Sequence, residues 1–163
     1  MTSALDFAVH RRPSGADTRT MPGGALVTSV LYAPTVPTEH VSAGRLLIPG
    51  NRHLPVQRDR SAETALVLLS GYAAVLSGRS LRAALPSPGD LVYVRRNLPY
   101  AVVNLSRNAA VLMLEVTTNP GFWSALEPVP ELEPAVVSRA EQLRADHFER
   151  ITHRRVGRTR RPR

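Results

Sequence analysis

Few side chains of this 163-residue chain could carry chemistry. It has no cysteine, which excludes thiolate nucleophiles, disulfides and Cys-ligated zinc. What is left for proton transfer or polar recognition is a handful of residues in otherwise apolar surroundings. His53 stands in the polar stretch 51–62. An imidazole there is either a general base working near neutral pH or an ordinary loop side chain. The same stretch carries Gln57 and Asp59, which either line the mouth of a pocket or solvate their loop. Glu115 falls near the end of the apolar run 109–116. It is either a buried carboxyl with a raised pKa or a solvent-facing one. Tyr100 follows Asn97-Leu98-Pro99. With an ordinary pKa of about 10, a phenol moves protons only in a perturbing environment, and otherwise serves as a packed ring with a bonded hydroxyl.

These residues need elements to hold them, and the sequence supplies short ones. Runs rich in Val and Leu at 25–32, 45–48, 64–69, 72–76, 91–94, 100–103 and 109–116 alternate with turns at Pro49-Gly50, Ser70-Gly71, Ser77-Gly78, 86–90 and 104–108. Repeated short strands with punctuated turns predict an all-β sandwich or barrel. Several runs are apolar on both faces, among them 65–69 and 112–116, where a strand buried on one side should alternate. Something must cover the second face. Another subunit would do so in a small sandwich, which predicts a homodimer, and an arm or helix of the same chain is the alternative.

The ends differ from the middle. Residues 1–24 read as an N-terminal arm or a peripheral strand, and residues 25–122 as the β domain. Residues 123–152 read as a proline-spaced acidic linker followed by a helix that opens at the capping box Ser138-Arg139-Ala140-Glu141 and ends near Ile151. The formal net charge of +8 comes almost entirely from the tail: 14 of the 21 arginines precede position 150 and are balanced by the 13 acidic residues, whereas residues 150–163 carry 7 arginines and no acid. Residues 153–163 therefore predict a disordered Arg-rich tail, without the aromatic interleaving that would favour nucleic-acid binding. No apolar run approaches the roughly 20 residues of a membrane span, and the opening residues lack the long apolar centre of a signal peptide. A cytoplasmic protein is the simplest expectation.

The stretch 89–104, GDLVYVRRNLPYAVVN, carries a family resemblance. Its spacing resembles the second motif of the cupin superfamily, in which a glycine, a proline, a second glycine, a histidine and an asparagine stand at fixed intervals. Gly89 and Asn104 match; Arg95, Asn97 and Tyr100 replace the proline, the second glycine and the histidine. Upstream, Pro49-Gly50 and Gly71 bracket the place of the first motif. Counting back from Gly71 puts Thr64 in its glutamate position; counting through Pro55 puts Gln57 and Asp59 in its histidine positions, whereas strict counting from Gly50 gives Val56 and Arg58. The resemblance implies a jelly-roll β-barrel, to which the capping box and the charge pattern add a C-terminal helix and disordered basic tail. It also implies an interior pocket where most cupins hold a metal.

The implied ligand set lacks histidine in every register, so the resemblance predicts no metal and no cofactor here. It points to a metal-independent cupin acting on a small organic molecule, of isomerase, epimerase or cyclase type. Tyr100 and Asp59 would be the proton-transfer groups, and Gln57, Thr64, His53 and Glu115 the ligand-binding ones. A non-catalytic binding or accessory cupin is the alternative, with nucleic-acid binding through the tail a third reading.

Overall fold

The computed structural model describes residues 17–158, with side chains through residue 153. Two antiparallel sheets face each other. The first contains β1 (Thr18–Thr20), β2 (Leu26–Leu31), β3 (Ser42–Ile48), β10 (Val111–Thr117), β5 (Thr64–Ser70) and β8 (Leu91–Val94) in that spatial order. The second runs β11 (Leu126–Pro128), β4 (His53–Asp59), β9 (Tyr100–Asn104), β6 (Ala73–Ser77) and β7 (Arg82–Ala84). Every strand pair within the sheets is antiparallel. Between the sheets lies a core built on Leu46, Leu54, Leu66, Leu68, Val102 and Met113.

The one α-helix among the described residues, α1 (Glu133–Arg158), lies across the outer face of the second sheet. Val136, Ala140 and Leu143 pack there against Val56, Leu76, Ala101 and Val103. Strand β9 is therefore buried on both faces, which accounts for its unbroken apolar sequence. The first sheet has no such cover from α1. Its outward residues include Leu69, Leu91 and Tyr93, the last two 60% and 59% exposed.

Three expectations need correction. The helix begins at Glu133, five residues before the serine of the anticipated capping box, because a 3-10 turn at Pro130–Leu132 leads into it and Pro134 occupies its first turn. A proline there costs little, since the first N–H groups of a helix have no partner in any case. At its other end the helix continues to Arg158, so residues 153–158 are helical; the remainder of the tail, residues 159–163, lies outside the described residues, as do residues 1–16 of the arm. The stretch 51–62, read as a loop, contains β4. Pro55 cannot donate a ladder hydrogen bond, and the β4–β9 register shifts between Leu54 and Gln57 to accommodate it.

The turns that carried the family resemblance keep their geometry. Gly71 and Gly89 have φ of 94° and 95°, and Asn97, in place of the second motif glycine, adopts φ 59°. Asparagine tolerates this left-handed conformation better than most residues. Asn104 does more than cap the turn after β9. Its Nδ2 donates to the carbonyls of Ile48, Pro49 and Ala109, and its Oδ1 accepts from Ser106 N, tying the two motif regions together.

Candidate functional site

The β4–β9 register sets Gln57 opposite Tyr100, and the β5–β10–β3 ladder points Glu115 inward towards the same spot. Gln57 Nε2 donates to the Tyr100 hydroxyl at 3.0 Å, and that hydroxyl donates to Glu115 Oε1 at 2.6 Å. Tyr100 and Glu115 are each 1% exposed and Gln57 5%. Burial raises the Glu115 pKa above the usual carboxyl range, and the Tyr100 hydrogen bond offsets part of that rise. The Tyr100 phenol is pushed well above its ordinary value, first by burial and then by the Glu115 charge, with Gln57 and Thr64 acting the other way. It therefore remains protonated at every physiological pH. Its chemistry here is that of a hydrogen-bond relay.

Gln57 also borders a cavity of about 540 Å³ at the open edge between the sheets. Met21, Pro22 and Gly23 close one side; His53, Pro55 and Val56 of β4 form the floor; Trp123, Leu126, Pro128 and Pro130 complete an apolar wall. Gly23 has to be glycine, because a Cβ would sit 2.3 Å from the His53 carbonyl oxygen. At the rim the Arg19 guanidinium stacks 4.3 Å from the Trp123 ring centroid. Glu127 is held below its usual carboxyl range by Arg60 and Arg58.

Two of the polar groups lining these walls form a pair. His53 Nε2 lies 2.5 Å from Glu133 Oε1, and Glu133 Oε2 accepts from Val56 N at 3.0 Å. The first turn of α1 thus orients an imidazole from the edge of β4. With Nε2–H donating to the carboxylate, the neutral ring keeps its acceptor at Nδ1.

Of the six residues anticipated from sequence, Gln57 and His53 line the cavity, while Tyr100, Thr64 and Glu115 stand behind Gln57. Asp59 joins neither group. Its Oδ1 accepts from Ser61 N, Ser61 Oγ and Ala62 N, and its Oδ2 accepts from Asn119 Nδ2, so the carboxylate is filled by donors of the β4–β5 corner. That placement fits a turn anchor and does not fit the proton-transfer role expected of Asp59. Nor does Tyr100 reach the cavity wall. Glu133 and Trp123 went unnoticed: each lies in a segment without strand periodicity, and the signal for Glu133 was a carboxylate beside Pro134 at a helix start.

The burial pattern also settles the register of the first motif, because Gln57 and Asp59 face the interior while Val56 faces α1. The metal that cupins commonly hold would fall among Gln57, Asp59, Thr64 and Tyr100. These residues do not fit one. Gln57 and Tyr100 are bonded to each other, Asp59 is turned to its corner, and Thr64 is a poor ligand for a first-row metal.

No protein-family model matches the sequence, and no curated protein is similar to it in sequence. Solved structures do resemble it. Oxalate decarboxylase of Lactobacillus farciminis superposes with a TM-score of 0.60 at 16% identity, over 70% of this chain and 33% of that one. An uncharacterized double-stranded β-helix protein of Klebsiella pneumoniae gives 0.53 at 14% identity, over 73% and 90%. Procruciferin, an 11S globulin of Brassica napus, gives 0.56 at 17% identity, over 66% and 28%. The chain spans about a third of the length of the oxalate decarboxylase it matches. These likenesses establish a cupin fold.

Proposed function

We propose that this cupin-fold chain binds a small organic molecule with a mainly apolar body in the cavity beside β4, and that His53 serves there as a general acid–base group oriented by Glu133. One observation carries the reading: a His–Glu pair and an inward-anchored amide converge on a single apolar cavity of about 540 Å³. Cavities of this size and lining suit small ligands, with the few polar groups fixing orientation. An isomerase, epimerase or cyclase type of reaction, moving a proton without a metal, uses what His53 can supply. Work in the cytoplasm fits a chain without cysteine.

A second reading has its own support. The Glu133 carboxylate also binds Val56 N and so fastens the helix to the sheet, which a non-catalytic binding protein would need equally. Hydrogen–deuterium exchange into a library of carbonyl compounds, followed by mass spectrometry, distinguishes the two. Enzyme-dependent label incorporation that His53→Gln abolishes supports catalysis. Saturable binding without incorporation, unchanged in rate by His53→Gln, would leave the binding protein.

A further inference from the structure

The hydrogen-bond chain behind the cavity has a forced direction. The Tyr100 hydroxyl donates to Glu115 Oε1 at 2.6 Å, and its single proton stays committed there when the carboxyl is ionised or holds its own proton on Oε2. The Tyr100 oxygen is then an acceptor towards Gln57, and only the amide nitrogen of Gln57 can donate, as it does at 3.0 Å. We propose that Glu115 and Tyr100 act through Gln57 to set the polarity of the cavity: they hold the amide with its nitrogen inward and its carbonyl oxygen towards the ligand, so that the site selects molecules presenting a hydroxyl or N–H donor.

The inference rests on the cavity reading and deepens it to a ligand class. His53 and Gln57 both line the cavity, and with the Gln57 nitrogen held by Tyr100 a ligand group without a proton to donate leaves the amide oxygen unpaired on a mainly apolar wall. The arrangement also survives protonation of the carboxyl. Glu115 Oε2 is buried and makes no hydrogen bond among the described residues, so a proton taken up there leaves Oε1 free to accept. No competing charge intervenes. Glu115 is flanked by Gly44 on β3 and Leu66 on β5, Thr64 of β5 adjoins the phenol, and Asp59, two residues from Gln57, is filled by its own corner. Tyr100 and Glu115 are thus positioning residues.

Two probes of matched body test the assignment: 4-tert-butylcyclohexanol, which donates and accepts, and 4-tert-butylcyclohexanone, which only accepts. Binding is followed by the emission of Trp123, which lines the cavity and is the single tryptophan of the chain. The wild type should bind the alcohol about 3- to 10-fold more tightly, the range of one hydrogen bond. Glu115→Gln keeps an acceptor for Tyr100 and should keep the preference. Glu115→Leu releases the phenol proton to Gln57, turns the amide, and should bring the two affinities within about twofold or invert them. Equal affinities in the wild type, or an unchanged preference in Glu115→Leu, would overturn the proposal. Nuclear Overhauser contacts from the Gln57 side-chain NH2 to the Tyr100 ring report the polarity with no ligand added. They should be present in the wild type and Glu115→Gln and lost in Glu115→Leu. Their absence from the wild type overturns the proposal, whereas their presence beside failure of both probes to bind overturns the cavity reading alone.

Discussion

The Tyr100 hydroxyl is the atom on which the interior depends. Removing it in Tyr100→Phe keeps the ring but leaves the buried Gln57 Nε2 and Glu115 Oε1 without their partner. Leaving buried groups unpaired costs about 1–3 kcal/mol, so the variant should melt lower, and adding Glu115→Leu should cost less than the sum of the single changes. Additive effects in that double-mutant cycle would mean the pair is not coupled. Glu115 itself makes stability depend on pH. Its folded pKa is raised above the unfolded value of about 4.5, so the folded protein binds the proton more tightly. The resulting stabilisation is full below the unfolded pKa and is lost as pH rises through the folded one. Thermal melts of wild type minus those of Glu115→Gln should therefore fall from the ordinary carboxyl range upward; a flat difference would place the Glu115 carboxyl in water. The position of Tyr100 was legible from motif spacing alone. The same spacing set it near Gln57, but its partner Glu115 was not legible, because nothing in a sequence says that this residue, on β10, ends 2.6 Å from it.

At the scale of elements, β4 and the start of α1 make the cavity. Strand β4 escaped detection because Pro55, Gln57, Arg58 and Asp59 read as loop chemistry, and only the facing first sheet and the covering helix reveal that both faces are partly buried. Short apolar strands such as β8 and β9 could be placed to within a residue, since Val-rich runs between Gly and Pro turns have few other outcomes. The helix start was missed because a Ser-x-x-Glu spacing occurs within helices as well as at their ends. Glu133 joins the two elements through Val56 N and His53. Glu133→Gln weakens both bonds and should lower stability by about 1–3 kcal/mol, with amide exchange at Val56 rising ahead of that in β9. Uniform acceleration across the chain, or none, would mean that Glu133 is not the tether.

For the whole molecule, the two sheets are treated unequally. Helix α1 covers the second, and the first exposes Leu47, Leu69, Leu91 and Tyr93 on one face. We propose that a second copy covers that face, as the doubly apolar strands β5 and β10 implied; a stable pair needs about 800 Å² from each partner, within reach of a six-stranded sheet. Light scattering should give about twice 17.8 kDa, and Leu91→Arg with Leu69→Arg should yield a folded monomer. A wild-type monomer at micromolar concentration would refute the pairing. The cupin architecture could be inferred from strand spacing and the Gly89–Asn104 motif, whereas the cavity could not, since it joins segments around positions 21, 55, 125 and 133 that no local pattern connects.

The central claim is that this cavity receives a small apolar ligand. Its most direct measurement is a titration of wild type and of Leu126→Phe, which fills the cavity wall, with 4-tert-butylcyclohexanol while Trp123 emission is recorded. Saturable change in the wild type, abolished or weakened at least tenfold in a Leu126→Phe protein that melts normally, is the predicted result. An unsaturable response, or one that Leu126→Phe leaves intact, would contradict it.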